Sequence, residues 1–501
     1  MTVHHRENSH RTSLGAFSRM GAASTLQAVS GIIRVKLVAV MLGPAGVGVF
    51  GLMLSLTQTL ALIGTFGQDL VGPRKIAQSR GSDAVLARNI WALGALLAGL
   101  ALVSGLVVLL MRAPLARLLG MPGSTTEVVW LSLAVALTVL ATLPMAVLQG
   151  LRRIAALSRT NASSALGSLM IGGGTVLMFG REGLVFLLIS APACLLLVGM
   201  SELITAIRAH RRPRADLRPM LRDLAKNGAP YMLASVVVIT STFAARAIIQ
   251  HMHGTESLGL YTAATTVGLS YMPILLGALG ADYLPRLASA LHHPDEIARL
   301  VAEQTEVALL IVAPVAVGVI AFAPWVMSLM FSIEFRPAAL ILQLQVLADI
   351  LRVSVWPLGF VLLARGEGVT HFFIEVTGQL LFLLATLGLV DRFGLLASGA
   401  AYLVLSISAS VLSLRTVGRR IELVRNDRTV AVMAVGLLLG LITLSISRFT
   451  PVGGAAFGGL CAIGFGAYSI VRIVRLAEIK GRIGAIASTA SSAMSWVGFK
   501  P

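Results

Sequence analysis

The chain has 501 residues, of which 56% are hydrophobic and only 12% are charged, and its mean hydropathy is +0.87. Because soluble globular proteins carry about 25% charged residues, this composition excludes a soluble enzyme, a disordered chain and a secreted disulfide scaffold. The chain holds 40 lysines and arginines against 22 acidic residues, which gives a formal net charge of +18. The meaning of this excess depends on where the cations lie.

Apolar segments follow one another along almost the whole sequence. A membrane-spanning helix needs about 20 mostly apolar residues, and about fourteen segments are long enough. They lie near residues 18–42, 46–72, 89–111, 127–150, 159–180, 183–207, 227–251, 258–284, 300–322, 340–364, 369–390, 394–414, 429–447 and 453–473. The fifth segment is the weakest, because Gly172, Gly173 and Gly174 interrupt it. The pattern predicts an all-α polytopic membrane protein.

The cations between these segments predict the orientation. With the N-terminus in the cytoplasm, about 30 of the 40 cations fall in cytoplasmic loops and tails, and about six fall in outer loops. The positive-inside rule therefore predicts a cytoplasmic N-terminus. An even number of spans then places the C-terminus in the cytoplasm as well.

The two halves of the chain resemble each other in order. Residues 43–50 match residues 254–261 at an offset of 211, with glycine at the first and sixth positions of both. Further on, residues 67–74 match residues 280–286, since both contain glycine, then aspartate, then Pro-Arg. The longest hydrophilic stretch, residues 208–226, joins the halves and is too short to fold alone. Both halves start on the same side, which predicts parallel repeats.

The repeat predicts two six-helix lobes related by a pseudo-two-fold axis along the membrane normal, with two further helices at the C-terminal end. A cavity between the lobes is the expected consequence. The predicted divisions are an N-lobe at 1–222, a C-lobe at 223–415, a helix pair at 416–475 and a basic cytoplasmic tail at 476–501.

Four cations fall inside predicted spans. Arg34 and Lys36 lie in the outer half of the first span, Arg246 in the outer half of the seventh, and Arg352 in the tenth. A charge at mid-helix costs about 2.5–3.5 kcal/mol on insertion scales, so such residues tend to face a cavity or a partner. These residues therefore predict a cationic cavity for an anionic substrate, and arginine can bind phosphate in a bidentate manner. For Lys36 the alternative is snorkelling to the outer face.

Four acidic residues in or near the spans are candidates for coupling or gating. Asp349 lies three residues before Arg352 on one helix face, so an ion pair within the helix is the alternative. Asp69 and Asp282 lie near the cytoplasmic ends of their spans and are either ion ligands or interfacial charges. Glu375, in the eleventh span, is a candidate for binding a coupling ion.

No catalytic residue and no resident metal site is expected. Residues 46–51 spell GxGxxG, but they follow a membrane helix rather than a strand, so a dinucleotide site is not expected. His251 and His253 form a lone HxH in a short outer loop, which is a weak metal signal. Nucleic acid is not an expected partner, because the cytoplasmic cations set the topology and meet anionic lipid head groups.

Several stretches resemble the Wzx-type polysaccharide flippases. The first is Val38–Gly48 with Gly67–Ala77, and the second is Gly259–Leu287 with its Tyr-Leu-Pro-Arg-Leu run. The third is Phe331–Gly366, in which the acidic Asp349 precedes the basic Arg352 and then Trp356, as in that family. Within the family, the likeness is to O-antigen translocases and lipid III flippases. One departure is Asp69, where the family often has a hydrophobic stretch.

The resemblance implies a member of the multidrug/oligosaccharidyl-lipid/polysaccharide exporter superfamily in the bacterial inner membrane. Such a protein moves an undecaprenyl-diphosphate-linked oligosaccharide to the outer leaflet by alternating access through a cationic cavity. The cargo would be an O-antigen, enterobacterial common antigen or exopolysaccharide unit. Arg34, Arg246 and Arg352 are then expected to contact the diphosphate, with Lys36 as a weaker candidate.

The same resemblance implies no cofactor beyond a coupling ion, H⁺ or Na⁺. The implied partners are the lipid-linked oligosaccharide, membrane lipids, and a polysaccharide polymerase and chain-length regulator as candidate protein partners.

Four other functions differ in the sequence features that they require. A lipid II flippase has the same number of helices and also carries cations in its helices. A multidrug exporter of the superfamily would favour an acidic cavity. A membrane glycosyltransferase or polymerase would need a sizeable loop with paired carboxylates, and none is found. A non-transporting scaffold of a polysaccharide assembly complex is the alternative from another class.

Overall fold

The computed structural model describes residues 2–79, 81–119, 125–207, 217–291, 293–421 and 427–476, and all regular structure within these ranges is helical. The α-helices are α1 (Thr2–Thr65), α2 (Gln68–Gln78), α3 (Asp83–Leu110), α4 (Arg112–Leu118), α5 (Thr125–Gly150), α6 (Ile154–Gly167), α7 (Gly173–Phe179), α8 (Gly183–Ile207), α9 (Arg218–Ser289), α10 (Pro294–Met330), α11 (Ala339–Arg365), α12 (Gly368–Phe393), α13 (Leu396–Ser413), α14 (Asp427–Phe449) and α15 (Pro451–Leu476). The predicted all-α architecture is confirmed.

The chain is a multi-pass membrane protein. Among the described residues, 11 helical segments are long and apolar enough to cross a membrane. Four of them, Val29–Thr65, Ile154–Thr205, Ser235–Gly277 and Pro294–Met330, have 37, 52, 43 and 37 residues. A crossing needs about 20 residues, so the two longest, Ile154–Thr205 and Ser235–Gly277, have the length for two crossings. The predicted total of fourteen stays a prediction.

Two of these long segments are broken at a glycine in the same way. Gly43 in α1 has φ 63° and ψ −167°, and Gly254 in α9 has φ 80° and ψ 175°. Residues with a side chain rarely adopt this conformation, whereas glycine does so without steric cost. These two glycines are the first positions of the matched stretches found in the sequence. The repeat is therefore present in the backbone at this point.

The second pair of matched stretches differs in structure. After α1, Phe66 and Gly67 adopt positive φ angles of 52° and 73°, and α2 begins at Gln68. In the other half, α9 continues without such a break through residues 280–286 to Ser289. The similarity of the sequences at this point is therefore not matched by the backbone.

The described chain divides into two compact units, Met1–Thr262 and Ala263–Pro501, and the division falls inside α9. The lobe boundaries predicted at residues 222, 415 and 475 stay predictions. The predicted tail beyond Leu476 lies outside the described residues.

In the first unit, α1 and α9 pack backbone against backbone just after the two glycine breaks. A Cβ on Gly259 would lie 1.7 Å from the carbonyl oxygen of Pro44, and one on Gly48 would lie 2.1 Å from that of Thr255. Neither position has room for a side chain. Because Gly48 and Gly259 are equivalent in the repeat, each repeat supplies one glycine to this contact.

In the second unit, α10 and α11 hold the core, and the C-terminal pair α14 and α15 packs against them. Polar contacts fix this packing. Arg472 of α15 donates to Glu306 of α10 at 2.9 Å, and Gln343 of α11 donates to the Ser447 hydroxyl at 3.2 Å. Both helices of the pair are therefore anchored by buried hydrogen bonds as well as by apolar packing.

Candidate functional site

The first unit has an open cavity of about 510 Å³, which we call the first cavity. This volume is typical of small-molecule sites. Half of its lining residues are polar or charged: Gln27, Arg34, Thr57, Gln58, Asp69, Thr138, Thr142, Gln149 and Ser164. Hydroxyl, amide and guanidinium groups inside the membrane are retained where they face water or a ligand.

Arg34 is the cation of the first cavity. Its Nη1 donates a hydrogen bond to the Ser168 hydroxyl at 3.0 Å, while its Nε is buried and has no hydrogen-bond partner. Ser168 begins a π-helical turn, Ser168–Gly172, at the place where the sequence indicated a weak fifth span. Such turns are frequent at functional sites, because they reorient side chains within a helix. One donor of Arg34 is thus fixed and another is left for a ligand.

Asp69 brings a carboxyl group into the same cavity. It lies in the first turn of α2, which begins after the backbone break at Phe66 and Gly67. Gln68 anchors this turn against α9, since its Nε2 donates to the carbonyl of Leu224 at 3.0 Å. Partial burial raises the pKa of Asp69 above its ordinary value, because a charged carboxylate is less well solvated there.

The other two predicted cations of this unit lie elsewhere. Arg246 donates from Nη1 to the carbonyl of Gly51 at 3.3 Å, and its Nε is buried without a partner. Lys36 is exposed. Neither residue is among those that line the first cavity. Their contact with a substrate stays a prediction.

The second unit has an open cavity of about 500 Å³, which we call the second cavity. Its lining is mostly apolar and aromatic, with one acidic and one basic residue. It consists of Gly268, Leu269, Met272, Leu276, Gly277, Gly280, Asp349, Arg352, Val353, Trp356, Phe360 and Tyr402.

Asp349 is almost completely buried, with 3% of its surface exposed, and it is held by two tyrosines. The hydroxyl of Tyr271 donates to Oδ2 at 2.7 Å, and that of Tyr402 donates to Oδ1 at 2.9 Å. Both carboxyl oxygens therefore have a hydrogen-bond donor, which compensates part of the cost of burial.

Arg352 makes its ion pair with Glu375 of α12, whose Oε2 lies 3.9 Å from Nη2. The spacing made an ion pair between Asp349 and Arg352 the alternative; the two groups interact electrostatically but do not come within salt-bridge distance, and both oxygens of Asp349 accept from tyrosines. Glu375, which the sequence predicts as a coupling residue, is therefore the counter-ion of Arg352, which the resemblance predicts to contact the diphosphate. The side chain of Asp282 lies outside the described residues.

Sequence reasoning missed three polar groups that shape these cavities: Ser168, Tyr271 and Tyr402. The chain has only six tyrosines, and a tyrosine inside a span rather than at its end was the available signal. For Ser168 the signal was the glycine run that follows it. Among the residues that the structure describes, no group of three histidines, cysteines or acids is placed to hold a metal.

Comparison with known proteins gives a consistent picture. Residues 37–340 match the model of a family described as "Polysaccharide biosynthesis protein". The lipid III flippases of Escherichia coli (strain K12) and Shigella flexneri are each 24% identical over 408 residues, which are 78% of this chain and 95% of the relative.

Solved structures agree on the fold. The match to the lipid II flippase MurJ in an inward closed conformation covers 90% of this chain and 99% of the MurJ chain, with a TM-score of 0.68 and 13% identity. The match to an inward-facing multidrug resistance MATE family transporter of the MOP superfamily covers 87% of this chain and 99% of the transporter, with a TM-score of 0.63 and 15% identity. The predicted exporter-superfamily fold is therefore confirmed.

Proposed function

The chain belongs to the polysaccharide biosynthesis protein family, and from this premise we propose that it is a flippase for a lipid-linked precursor, not an enzyme. The proposed substrate is an undecaprenyl-diphosphate-linked oligosaccharide, such as an O-antigen, enterobacterial common antigen or exopolysaccharide unit. It moves from the inner to the outer leaflet of the bacterial inner membrane by alternating access, and both termini lie in the cytoplasm. The names of the lipid III flippase relatives support this substrate class.

The observation that carries the proposal is Arg34 in the first cavity. A guanidinium within a span, with a buried Nε that lacks a partner and a polar lining around it, suits a diphosphate. Arg246, which also has a buried Nε without a partner, is proposed as a second contact. Lys36 and Arg352 are the weaker candidates, because Lys36 is exposed and Arg352 is paired with an acid.

The membrane potential gives the transport its direction. A diphosphate diester carries about two negative charges, and moving one charge through 100 mV is worth about 2.3 kcal/mol. An inside-negative potential therefore favours outward movement by about 4.6 kcal/mol per 100 mV. The fixed cations lower the barrier by compensating the charge within the membrane. Exchange against H⁺ or Na⁺ through Asp69, Asp282, Asp349 or Glu375 would add to this driving force.

A multidrug exporter of the same superfamily is the less favoured reading. Transport of cationic drugs calls for a net acidic cavity, whereas in each of the two cavities described above a single carboxyl group is balanced by an arginine, Asp69 by Arg34 and Asp349 by Arg352. The lipid II flippase alternative shares the diphosphate chemistry, so it differs only in the attached sugar.

Depletion of the protein in its host tests the proposal. We expect the lipid-linked oligosaccharide to accumulate and the surface polysaccharide to disappear. Complementation with the wild-type gene should reverse both effects, and complementation with Arg34→Ala should not. Intact surface polysaccharide after complete depletion would contradict the proposed function. Normal polysaccharide with Arg34→Ala would contradict the role of Arg34 and favour a scaffold.

A further inference from the structure

We propose that the second cavity is a carbohydrate subsite, in which Trp356 stacks on a sugar ring while Asp349 and Arg352 bind its hydroxyls. The inference rests on the proposed function and deepens it, since it assigns a binding place to the glycan of the proposed substrate.

The first element of the subsite is an aromatic platform. Trp356 and Phe360 lie one turn apart on α11, with ring centroids 4.9 Å apart in an edge-to-face arrangement, and both line the cavity. The axial hydrogens of a pyranose form an apolar face that packs on an indole, and the indole N–H adds a donor at its edge. A diphosphate has no apolar face, so this platform suits the sugar part of the substrate.

Gly280 packs directly against the two rings of the platform, and they fit there because this residue has no side chain. A Cβ on Gly280 would lie 3.3 Å from Cζ2 of Trp356 and 3.0 Å from Cζ of Phe360. Any side chain at this position would therefore press on the two rings.

The second element is a pair of polar groups beside the platform. Asp349, Arg352 and Trp356 are spaced three and four residues apart, so they lie on one face of α11. The tyrosine hydroxyls fix the orientation of Asp349 but leave lone pairs on both oxygens, because a carboxylate accepts about four hydrogen bonds. Arg352 contacts the Tyr402 hydroxyl and lies 3.9 Å from Glu375, beyond hydrogen-bond distance, so most of the five N–H donors of its guanidinium remain for a ligand. Vicinal sugar hydroxyls need both an acceptor and a donor of this kind.

The charges of this cluster exclude a diphosphate as its preferred ligand. The cavity is lined by one carboxyl group, Asp349, and one guanidinium, Arg352, and a second carboxyl group, Glu375, lies 3.9 Å from that guanidinium. A doubly negative ligand would meet repulsion from both acids, whereas uncharged hydroxyls would not. The cavity volume of about 500 Å³ is in the range of small-molecule sites. The chemistry therefore favours a neutral, polyhydroxylated ring.

The test compares two lipids with the purified full-length protein. The first is undecaprenyl diphosphate, which has no glycan, and the second is the undecaprenyl-diphosphate-linked oligosaccharide that accumulates in depleted host cells. We expect Trp356→Ala to weaken binding of the glycan-bearing lipid about ten-fold and to leave binding of undecaprenyl diphosphate unchanged. Trp356→Tyr, which keeps an aromatic ring, should retain most of the affinity. Trp325→Ala is the matched control, since Trp325 lies on α10 and does not line the cavity.

Two further variants make the outcome decisive. Gly280→Ala should reproduce the selective loss by pressing on the platform, and it carries the test if Trp356→Ala does not fold. Asp349→Asn should also weaken only the glycan-bearing lipid. Equal weakening of both lipids, or no weakening of either, overturns the subsite and leaves the proposed function intact. Failure of the wild-type protein to bind either lipid overturns the proposed function itself.

Discussion

Arg34 is the residue on which the account of the first cavity depends. An arginine at mid-span costs about 2.5–3.5 kcal/mol, and its one hydrogen bond to the neutral Ser168 hydroxyl offsets only about 1 kcal/mol. The remaining free-energy cost of placing the guanidinium inside the membrane lowers the stability of the fold, and binding of an anion offsets it.

Replacement of Arg34 tests this directly. We expect Arg34→Ala to weaken binding of undecaprenyl diphosphate by at least about ten-fold, since a charge-assisted hydrogen bond contributes about 1.5–3 kcal/mol. Arg34→Lys should recover only part of the affinity, because lysine cannot form the bidentate contact. Binding can be measured by lipid titration of the purified protein. Arg112→Ala, on an exposed residue of α4, is the control, and an equal effect of both alanine variants would refute the assignment.

Asp69 is expected to weaken anion binding in the first cavity, whereas Arg34 is expected to strengthen it. A carboxylate in the first cavity disfavours an anion, so we expect Asp69→Asn to strengthen diphosphate binding several-fold at neutral pH. Because the pKa of Asp69 is raised, wild-type affinity should rise as the pH falls and the carboxyl group is protonated. The variant should have lost this part of the pH dependence.

Asp83→Asn removes the same charge from the start of α3, outside the cavity, and should leave the pH profile unchanged. Identical profiles for wild type and Asp69→Asn would contradict this role of Asp69.

The charged residues of the site could be predicted from the sequence, but their partners could not. Arg34, Asp69, Asp349 and Arg352 stand out because charges are rare and costly in apolar segments. Helical spacing alone offered Asp349 as the partner of Arg352, whereas the structure supplies Glu375 from a neighbouring helix. Which residues of different helices become partners depends on how the helices pack. The spacing of residues along a single helix does not show this packing.

At the scale of the elements, paired glycines set the contact between α1 and α9. Gly259→Ala would place its methyl group 1.7 Å from the Pro44 carbonyl oxygen, so the helices must move apart. We expect a lower midpoint of thermal unfolding, by several degrees. Gly388→Ala on α12, where an added Cβ meets nothing within 4 Å, is the matched control and should leave the midpoint unchanged or raise it. Equal midpoints for the two variants would contradict the close packing.

The anchoring of the C-terminal helices permits a similar comparison. The side chains of Arg472 and Glu306 are only 14% and 6% exposed, and breaking a buried ion pair costs about 3–5 kcal/mol. Glu306→Gln should therefore lower the unfolding midpoint clearly. Glu303→Gln, one turn earlier on α10, removes two exposed contacts, with Arg299 at 4.0 Å and with Arg286 at 3.8 Å, and should change the midpoint little. The prediction fails if both variants unfold alike.

The elements themselves were largely predictable, because apolar length and cation placement indicate spans directly. The weak fifth span is helical but contains a π turn at Ser168–Gly172. The difference between the two repeats at Gly67 and Gly280 was not predictable. Both stretches contain glycine, and only tertiary packing decides whether a glycine breaks a helix.

At the scale of the whole molecule, the sequence predicts a cationic cavity between two lobes, and this stays a prediction. Each of the two units has a cavity of its own. The first combines Arg34 and Asp69 with hydroxyl and amide groups, and the second combines aromatic rings with Asp349 and Arg352.

Transport by the reconstituted protein tests the central claim most directly. Proteoliposomes that carry the undecaprenyl-diphosphate-linked oligosaccharide would receive an imposed potential without an H⁺ or Na⁺ gradient, and the glycan exposed on each leaflet would be measured over time. We expect movement toward the positive side that exceeds protein-free vesicles, increases with the potential, and is strongly reduced in Arg34→Ala. Movement no faster than in protein-free vesicles at any potential would contradict the account.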